Sequence, residues 1–136
     1  MKWLLDTNVL SEVTRPQPSS KVEAWLRAEG NDSAIDPIIL GELRYGILIL
    51  PRGTRRNRLE AWFDAGASRM HCLPWDRDTG LAWAALLARL RSKGLAMPLR
   101  DSMIAATAMA HKLTVVTPNV RDFAAAGVPL LSLIHI

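Results

Sequence analysis

The sequence predicts an α/β domain built on a parallel sheet, and three observations predict it. Trp3, Leu4 and Leu5 form an apolar run without helical spacing that stops at Asp6, as an inner strand buried on both faces does. Residues 113–117 repeat the pattern and end in polar residues at Thr117, Pro118 and Asn119. Around these runs, strand and helix patterns alternate along the whole chain, which calls for a parallel sheet with right-handed crossovers. In such sheets ligands bind outside the carboxyl ends of the strands. Asp6 sits at such an end, with Thr7 and Asn8 beside it. Asp6 or Asn8 equally suits the cap of the helix that Val9, Leu10 and Val13 open, and on this stretch alone both readings stand.

The remaining elements follow in order. Two prolines make residues 14–20 a turn, and Ser19 or Ser20 caps a helix carrying Val22, Trp25 and Leu26. Residues 33–35 form a short strand halted by Asp36 and Pro37. The next helix carries Ile38, Ile39, Leu43 and Ile47 and closes at Leu50 and Pro51. Glu42 falls among its apolar residues, where a buried carboxylate needs an ion or a remote Lys or Arg. Arg44, two positions on, points elsewhere. A helix over about 54–67 has Leu59, Trp62 and Phe63 on one side, and residues 70–74 read as a strand. Asp76 or Asp78 caps a long helix, whose face of Leu81, Ala84, Ala85, Leu87 and Ala88 is expected to pack closely on a neighbour. Residues 98–111 form a helix of small residues with Met103, Ile104, Ala108 and Met109 inward. Asp101 lies in its first turn, where the helix dipole favours a carboxylate. A short helix then leads to Gly127, and residues 128–131 make an edge strand.

The chain of 136 residues is long enough to bury the core of one domain. Its apolar fraction of 49% and mean hydropathy of +0.09 suit a globular protein, and no apolar run approaches the ~20 residues of a membrane span. Asp6 interrupts any signal-like segment, so the expected location is cytoplasmic, with no membrane partner. The one cysteine, Cys72, has no partner for an internal disulfide and is expected to be a small buried apolar residue. Seventeen Lys and Arg against thirteen Asp and Glu give a net charge of +4, which permits an anionic partner without requiring one. Arg52, Arg55, Arg56 and Arg58 crowd together, either as a solvated helix start or as a patch facing RNA. Residues 131–136 can be encoded by a transposon end used as a sequencing adapter. They are therefore expected to be a non-native tail on a domain of residues 1–130, and His135 takes no role.

Asp6, Glu42, Asp101 and the Asn119/Asp122 pair share one property: each lies at a strand end, a helix start or a mostly apolar helix. Strand ends on one sheet edge converge in space. Clustered carboxylates repel and raise one another's pKa unless a cation neutralises them. Hard oxygen ligands without a Cys/His set point to Mg²⁺ or Mn²⁺ rather than zinc. His71 and His111 lack paired ligand spacing and are read as structural. Neutralising Asp6 or Asp101 is accordingly expected to abolish metal-dependent activity and to raise stability in metal-free buffer, by relieving repulsion.

These residues also carry a resemblance. LLDTNVLSE at 4–12, LGELRYG at 40–46, DSMIAATA at 101–108 and VTPNVRDF at 116–123 resemble, in order and spacing, the PIN-domain ribonucleases. Within them the likeness is to the VapC toxins of toxin–antitoxin pairs and the similar FitB proteins. The resemblance covers nearly the whole chain. It implies a PIN-domain-like, Rossmann-like sandwich with a central five-stranded parallel sheet flanked by helices. It also implies acidic residues around Mg²⁺ or Mn²⁺ at the carboxyl edge of that sheet. Asp6, Glu42 and Asp101 match the first three family acids. Family members differ over the fourth, which corresponds either to Asn119 or to the acid three residues on. Asn119 is neutral, so Asp122 is assigned the charge. Thr7, Asn8, Thr117 and Asn119 are expected to orient ligands and water around the acids.

The activity implied is Mg²⁺-dependent endonucleolytic hydrolysis of RNA. The implied partners are a small cognate antitoxin, operator DNA reached through that antitoxin, and a second copy in a homodimer. A second reading makes the chain a FitB-like regulatory subunit acting mainly in an antitoxin–DNA complex; Asn119 favours it mildly and the intact Asp6, Glu42 and Asp101 oppose it. A phosphatase of the haloacid dehalogenase class ranks lower, because Asn8 stands where its second aspartate is required.

Overall fold

A computed structural model describes residues 1–133. The stretch of the expected tail at 134–136, with His135, lies outside the described residues. Five short strands form one parallel sheet: β1 (Trp3–Leu5), β2 (Ser33–Ile35), β3 (His71–Cys72), β4 (Thr114–Val116) and β5 (Leu130–Leu131). Their order is β3-β2-β1-β4-β5, so the amino-terminal strand is central. Leu4 stands opposite Ala34 on one side and Val115 on the other. Leu4, Leu5, Ala34, Ile35, Val115 and Val116 are all fully buried. Both faces of these strands are covered, which is why their runs show no apolar–polar alternation. The chain runs outward from β1 to β3 and then returns to β4 on the other side. The carboxyl ends of β1 and β4 therefore flank the point where strand order reverses, the usual position of a ligand crevice.

The helices are α1 (Thr7–Glu12), α2 (Ser20–Glu29), α3 (Pro37–Leu48), α4 (Thr54–Ala65), α5 (Arg77–Ser92), α6 (Leu99–His111) and α7 (Val120–Phe123). Several begin at side-chain caps: Asp6, Ser19 and Asp76 are each one of two candidates the sequence offers, and Asp36 is expected there only to halt a strand. Asp6 accepts from Thr7 N at α1, Ser19 from Val22 N at α2, Asp36 from Ile39 N at α3, and Asp76 from Thr79 N at α5. For Asp6, Ser19 and Asp36 such a cap is worth about 1 kcal/mol. Asp36 does more than cap. It is fully buried, and its second oxygen accepts from Thr107 Oγ1 on α6 at 2.8 Å, tying two helices together. Burial pushes its carboxyl above the ordinary range, against the hydrogen bonds from Ile39 and Thr107 that pull it down.

Two expectations fail. The face of α5 expected to pack is turned outward: Leu81 is 56% exposed and Ala84, Ala85 and Ala88 are exposed, whereas Thr79, Leu86 and Leu90 are buried. A helix buries the stripe that removes most apolar area from water, and leucine at one turn's spacing outweighs alanine. The small residues that admit close approach lie on α6 instead, where Ala105, Ala106 and Ala108 are buried. Trp83 completes the α5–α6 contact by donating from Nε1 to Ser102 Oγ at 3.0 Å. Cys72 is exposed rather than buried. It belongs to a two-residue edge strand paired only with β2, and both its residues face solvent.

Candidate active site

Each acid arrives on a different element. Asp6 directly follows β1, and its backbone N–H donates to Val116 O at 2.9 Å, which extends the sheet by one bond. Its side chain is fully buried: Oδ1 accepts from Thr7 N at 2.7 Å, and Oδ2 accepts from Thr117 Oγ1 at 2.8 Å. Asp6 is thus a helix cap and a member of the acidic cluster at once. Glu42 lies midway along α3 and accepts from Thr7 Oγ1 at 2.6 Å through Oε1. Asp101 is the third residue of α6 and is 5% exposed. Thr7 and Thr117 thus donate hydroxyl hydrogen bonds to Glu42 and Asp6.

The partner that Glu42 required is Arg100, which the sequence reading did not single out. Its Nε donates to Glu42 Oε2 at 2.6 Å, its Nη1 to Asp101 Oδ1 at 2.6 Å, and its Nη2 to Asp6 Oδ1. One guanidinium thus gives each of its three nitrogens to a different carboxylate. Arg44 does point elsewhere, with its guanidinium 5.4 Å from the centre of the Phe63 ring. A signal for Arg100 was present. It is the second residue of α6, and a cation in a first helical turn opposes the dipole unless anions offset it.

The shared cation affects the acids unequally. Burial pushes the Glu42 carboxyl up, but the hydrogen bonds from Arg100 and Thr7 and the Arg100 charge together hold it below its ordinary value. Burial pushes Asp101 up, and there the Arg100 bond and charge do not compensate, because the charges of Asp6 and Asp122 push the same way. Burial lowers the Arg100 pKa, yet the bonds to Glu42 and Asp6 and the charge of Asp6 raise it well above its ordinary value.

The fourth position is split. Asp122 lies exposed in the single turn of α7, within electrostatic reach of Asp101. Asn119 is exposed, and its backbone N–H donates to Thr117 Oγ1 at 3.0 Å, so the main chain at 119 supports the threonine that holds Asp6. Asn8 is exposed and lines a neighbouring hollow with Glu12, Arg15 and Pro118. The arginine cluster also divides. Arg56 is engaged locally, pairing with Glu60 at 3.0 Å and donating to Leu50 O. Arg55 lines an apolar hollow with Thr7, Glu42, Leu43, Ile47 and Trp62, beside the acids. Arg58 faces the next hollow, which Arg15 also lines, and Arg52, just before α4, lines a separate hollow with Arg56 and Glu60.

An acidic cluster around the buried Asp6 and Asp101, at the carboxyl edge of a five-stranded parallel sheet, defines the class. The chain belongs to the PIN-domain family, whose model matches residues 3–128. It is 37% identical to VapC ribonuclease Y4jK of Sinorhizobium fredii over 135 residues, 95% of each chain. It is 35% identical to toxin FitB of Neisseria gonorrhoeae, over 97% of this chain and 98% of that one. Among solved structures, FitAcB from Neisseria gonorrhoeae superposes with a TM-score of 0.88 at 35% identity, over 98% of this chain and 99% of the other.

The donor set itself, three carboxylates with threonine hydroxyls and no sulfur or imidazole, suits a hard divalent ion. With Arg100 among them, however, no group of three His, Cys, Asp or Glu side chains among the described residues is disposed to hold a metal ion.

Proposed function

We propose that this protein is a divalent-metal-dependent endoribonuclease, the toxin of a toxin–antitoxin pair, that hydrolyses RNA phosphodiester bonds. The observation that carries the proposal is the gathering of Asp6, Glu42 and Asp101, from three separate elements, around a single positive charge. Relatives named as ribonucleases at up to 37% identity support it. Asp6, Glu42 and Asp101 would hold Mg²⁺ or Mn²⁺, with Asp122 as the fourth charge. An ion held by these residues would supply polarisation of the phosphoryl oxygen, a lowered pKa for a water and stabilisation of the leaving oxygen. Thr117 and Thr7 fix the carboxylates by hydrogen bonds to Asp6 and Glu42, so the cluster is arranged before substrate arrives. A carboxylate of the cluster takes the proton of the attacking water. In-line attack by that water leaves a 5′-phosphate and a 3′-hydroxyl.

The partners follow from surface chemistry and from the relatives. The apolar hollow of Leu43, Ile47, Leu59 and Trp62 opens beside Glu42 and suits an apolar segment of a small antitoxin. The solved relatives include FitAB bound to an IR36 DNA fragment, at 34% identity and a TM-score of 0.88, in keeping with operator DNA reached through the antitoxin. Tyr45, Leu48 and Ile49 expose an apolar strip on and just after α3, suited to a second copy in a homodimer. No helix among the described residues is long and apolar enough to cross a membrane.

Besides Asn119, the regulatory-subunit reading has a structural observation in its favour: Arg100 already supplies a counter-charge to the acids without an ion. Incubating the purified chain with RNA, with Mg²⁺, with Mn²⁺ and with neither, separates the two readings. Metal-dependent cleavage with 5′-phosphate ends, absent in Asp101→Asn, supports the nuclease. Cleavage that is absent with either metal, or unaffected by Asp101→Asn, overturns it.

A further inference from the structure

Arg100 uses the carboxylate oxygens that an ion would need. Asp6 presents two oxygens: Oδ2 is taken by Thr117, and Oδ1 receives both Thr7 N and Arg100 Nη2. Glu42 gives Oε1 to Thr7 and Oε2 to Arg100. Asp101 gives Oδ1 to Arg100. One planar guanidinium thus touches all three acids, and Thr7 separately links Asp6 to Glu42. Magnesium requires oxygens at about 2.0–2.1 Å in near-octahedral array, a geometry incompatible with oxygens spread around a guanidinium edge. The Arg100 side chain is 30% exposed, so it has a route to solvent, unlike Asp6 at 0%.

We propose that Arg100 is a built-in counter-cation that occupies the ion's place, so that metal binding is an exchange in which the guanidinium leaves all three carboxylates. This rests on the metal-nuclease reading above and adds a regulation to it. Without metal, the guanidinium offsets one of the three negative charges and is hydrogen-bonded to all three carboxylates. With metal, the ion must outcompete three charge-assisted hydrogen bonds, which sets a concentration threshold for activity. A guanidinium suits this role better than an ammonium, because its fixed fork serves three acceptors in one plane.

The test is calorimetric titration of the full chain with Mn²⁺, comparing wild type with Arg100→Gln and Arg100→Ala, each first checked for folding by circular dichroism. Arg100→Lys, which keeps the charge but not the fork, is the reserve variant if the others do not fold, and it should bind Mn²⁺ with an affinity above that of wild type. Exchange predicts at least about tenfold tighter Mn²⁺ binding in the variants, close to 1.4 kcal/mol. It also predicts lower melting than wild type without metal and a larger rise in melting temperature on adding it. Equal or weaker Mn²⁺ binding in the folded variants overturns the exchange, and cleavage retained in those variants would leave the nuclease reading standing. Absence of Mn²⁺ binding by wild type and variants alike overturns both.

Discussion

Thr117 Oγ1 donates to Asp6 Oδ2 at 2.8 Å, joining the residue after β4 to the residue after β1 across 111 positions of sequence. Because the main chain at Asn119 supports the same hydroxyl, the carboxyl ends of the two central strands form one hydrogen-bonded unit. The acid of the site is therefore also a structural element, and this changes what neutralising it does.

Asp6→Asn should abolish metal-dependent cleavage and also destabilise the protein. The variant loses the ion pair with Arg100 and turns an amide toward either Thr117 or Arg100, in a fully buried position. A lost buried bond of this kind costs about 1–3 kcal/mol. Repulsion between carboxylates alone predicts the opposite sign; Arg100 reverses it. Asp101→Asn should behave differently, since its carboxyl is pushed up by burial and by neighbouring acids and gains from neutrality. Thermal melting in metal-free buffer checks both. An Asp6→Asn variant that melts at or above wild type would show that Arg100 does not stabilise the cluster.

The pH dependence of stability should tilt in opposite directions for two acids. Glu42 is held below 4.5 in the folded state, so its contribution is fully present above that value and is lost as pH falls through the folded value. Glu42→Gln should therefore lag behind wild type at neutral pH and converge with it in acid. Asp36 is raised above 3.8, so a penalty grows as pH rises from there through its folded value. Asp36→Asn keeps an oxygen for the α3 cap and should gain on wild type as pH rises. Urea midpoints measured at several pH values decide; parallel curves for either variant would contradict the shift assigned to it.

Where the sequence was explicit, the physics was local. Asp6, Ser19 and Asp76 lie next to the groups they cap, and the buried runs at Leu4 and Val115 declare covered strands without reference to anything distant. Asp6 stands at a strand end, but Glu42 and Asp101 reach it from within α3 and the first turn of α6, so helix packing completes the cluster. Arg100 was missed because its partners lie 94, 58 and 1 positions away, and adjacent helical residues ordinarily face apart. Only the cation at a helix start hinted at it. The α5 face was misread because alanine fits either side of a helix, and the choice falls to the larger side chains on the neighbour. Cys72 was misread because a two-residue edge strand buries little.

The fourth acidic position should resolve in favour of Asp122. Its charge reaches Asp101, whereas Asn119 is neutral and engages the site through its backbone. Asp122→Asn should raise the Mg²⁺ concentration needed for half-maximal cleavage several-fold, and Asn119→Ala should leave it nearly unchanged. Asn119→Asp, which adds a charge beside the cluster, should lower it. Equal and negligible effects of Asp122→Asn and Asn119→Ala would describe a three-acid site instead.

The arginines at the start of α4 offer a test of RNA contact with an internal control. Arg55 borders the hollow beside Glu42, Arg58 the hollow beyond it, and Arg52 a separate hollow, whereas Arg56 is engaged by Glu60 and Leu50 O. If the first three follow the RNA backbone, each contact removed should flatten the log–log dependence of affinity on salt by about 0.7 for single-stranded RNA. Replacing Arg52, Arg55 and Arg58 together should change the slope by about 2, and Arg56→Ala should not move it. Turnover of bound RNA should survive, because phosphate contacts position substrate without activating water. RNA affinity should be titrated at several salt concentrations in an Asp101→Asn background, which keeps the ligand intact without the stability loss expected of Asp6→Asn. A slope that stays put in the triple variant assigns these side chains to solvation of the α4 start, and a slope that moves with Arg56→Ala contradicts the division of the cluster.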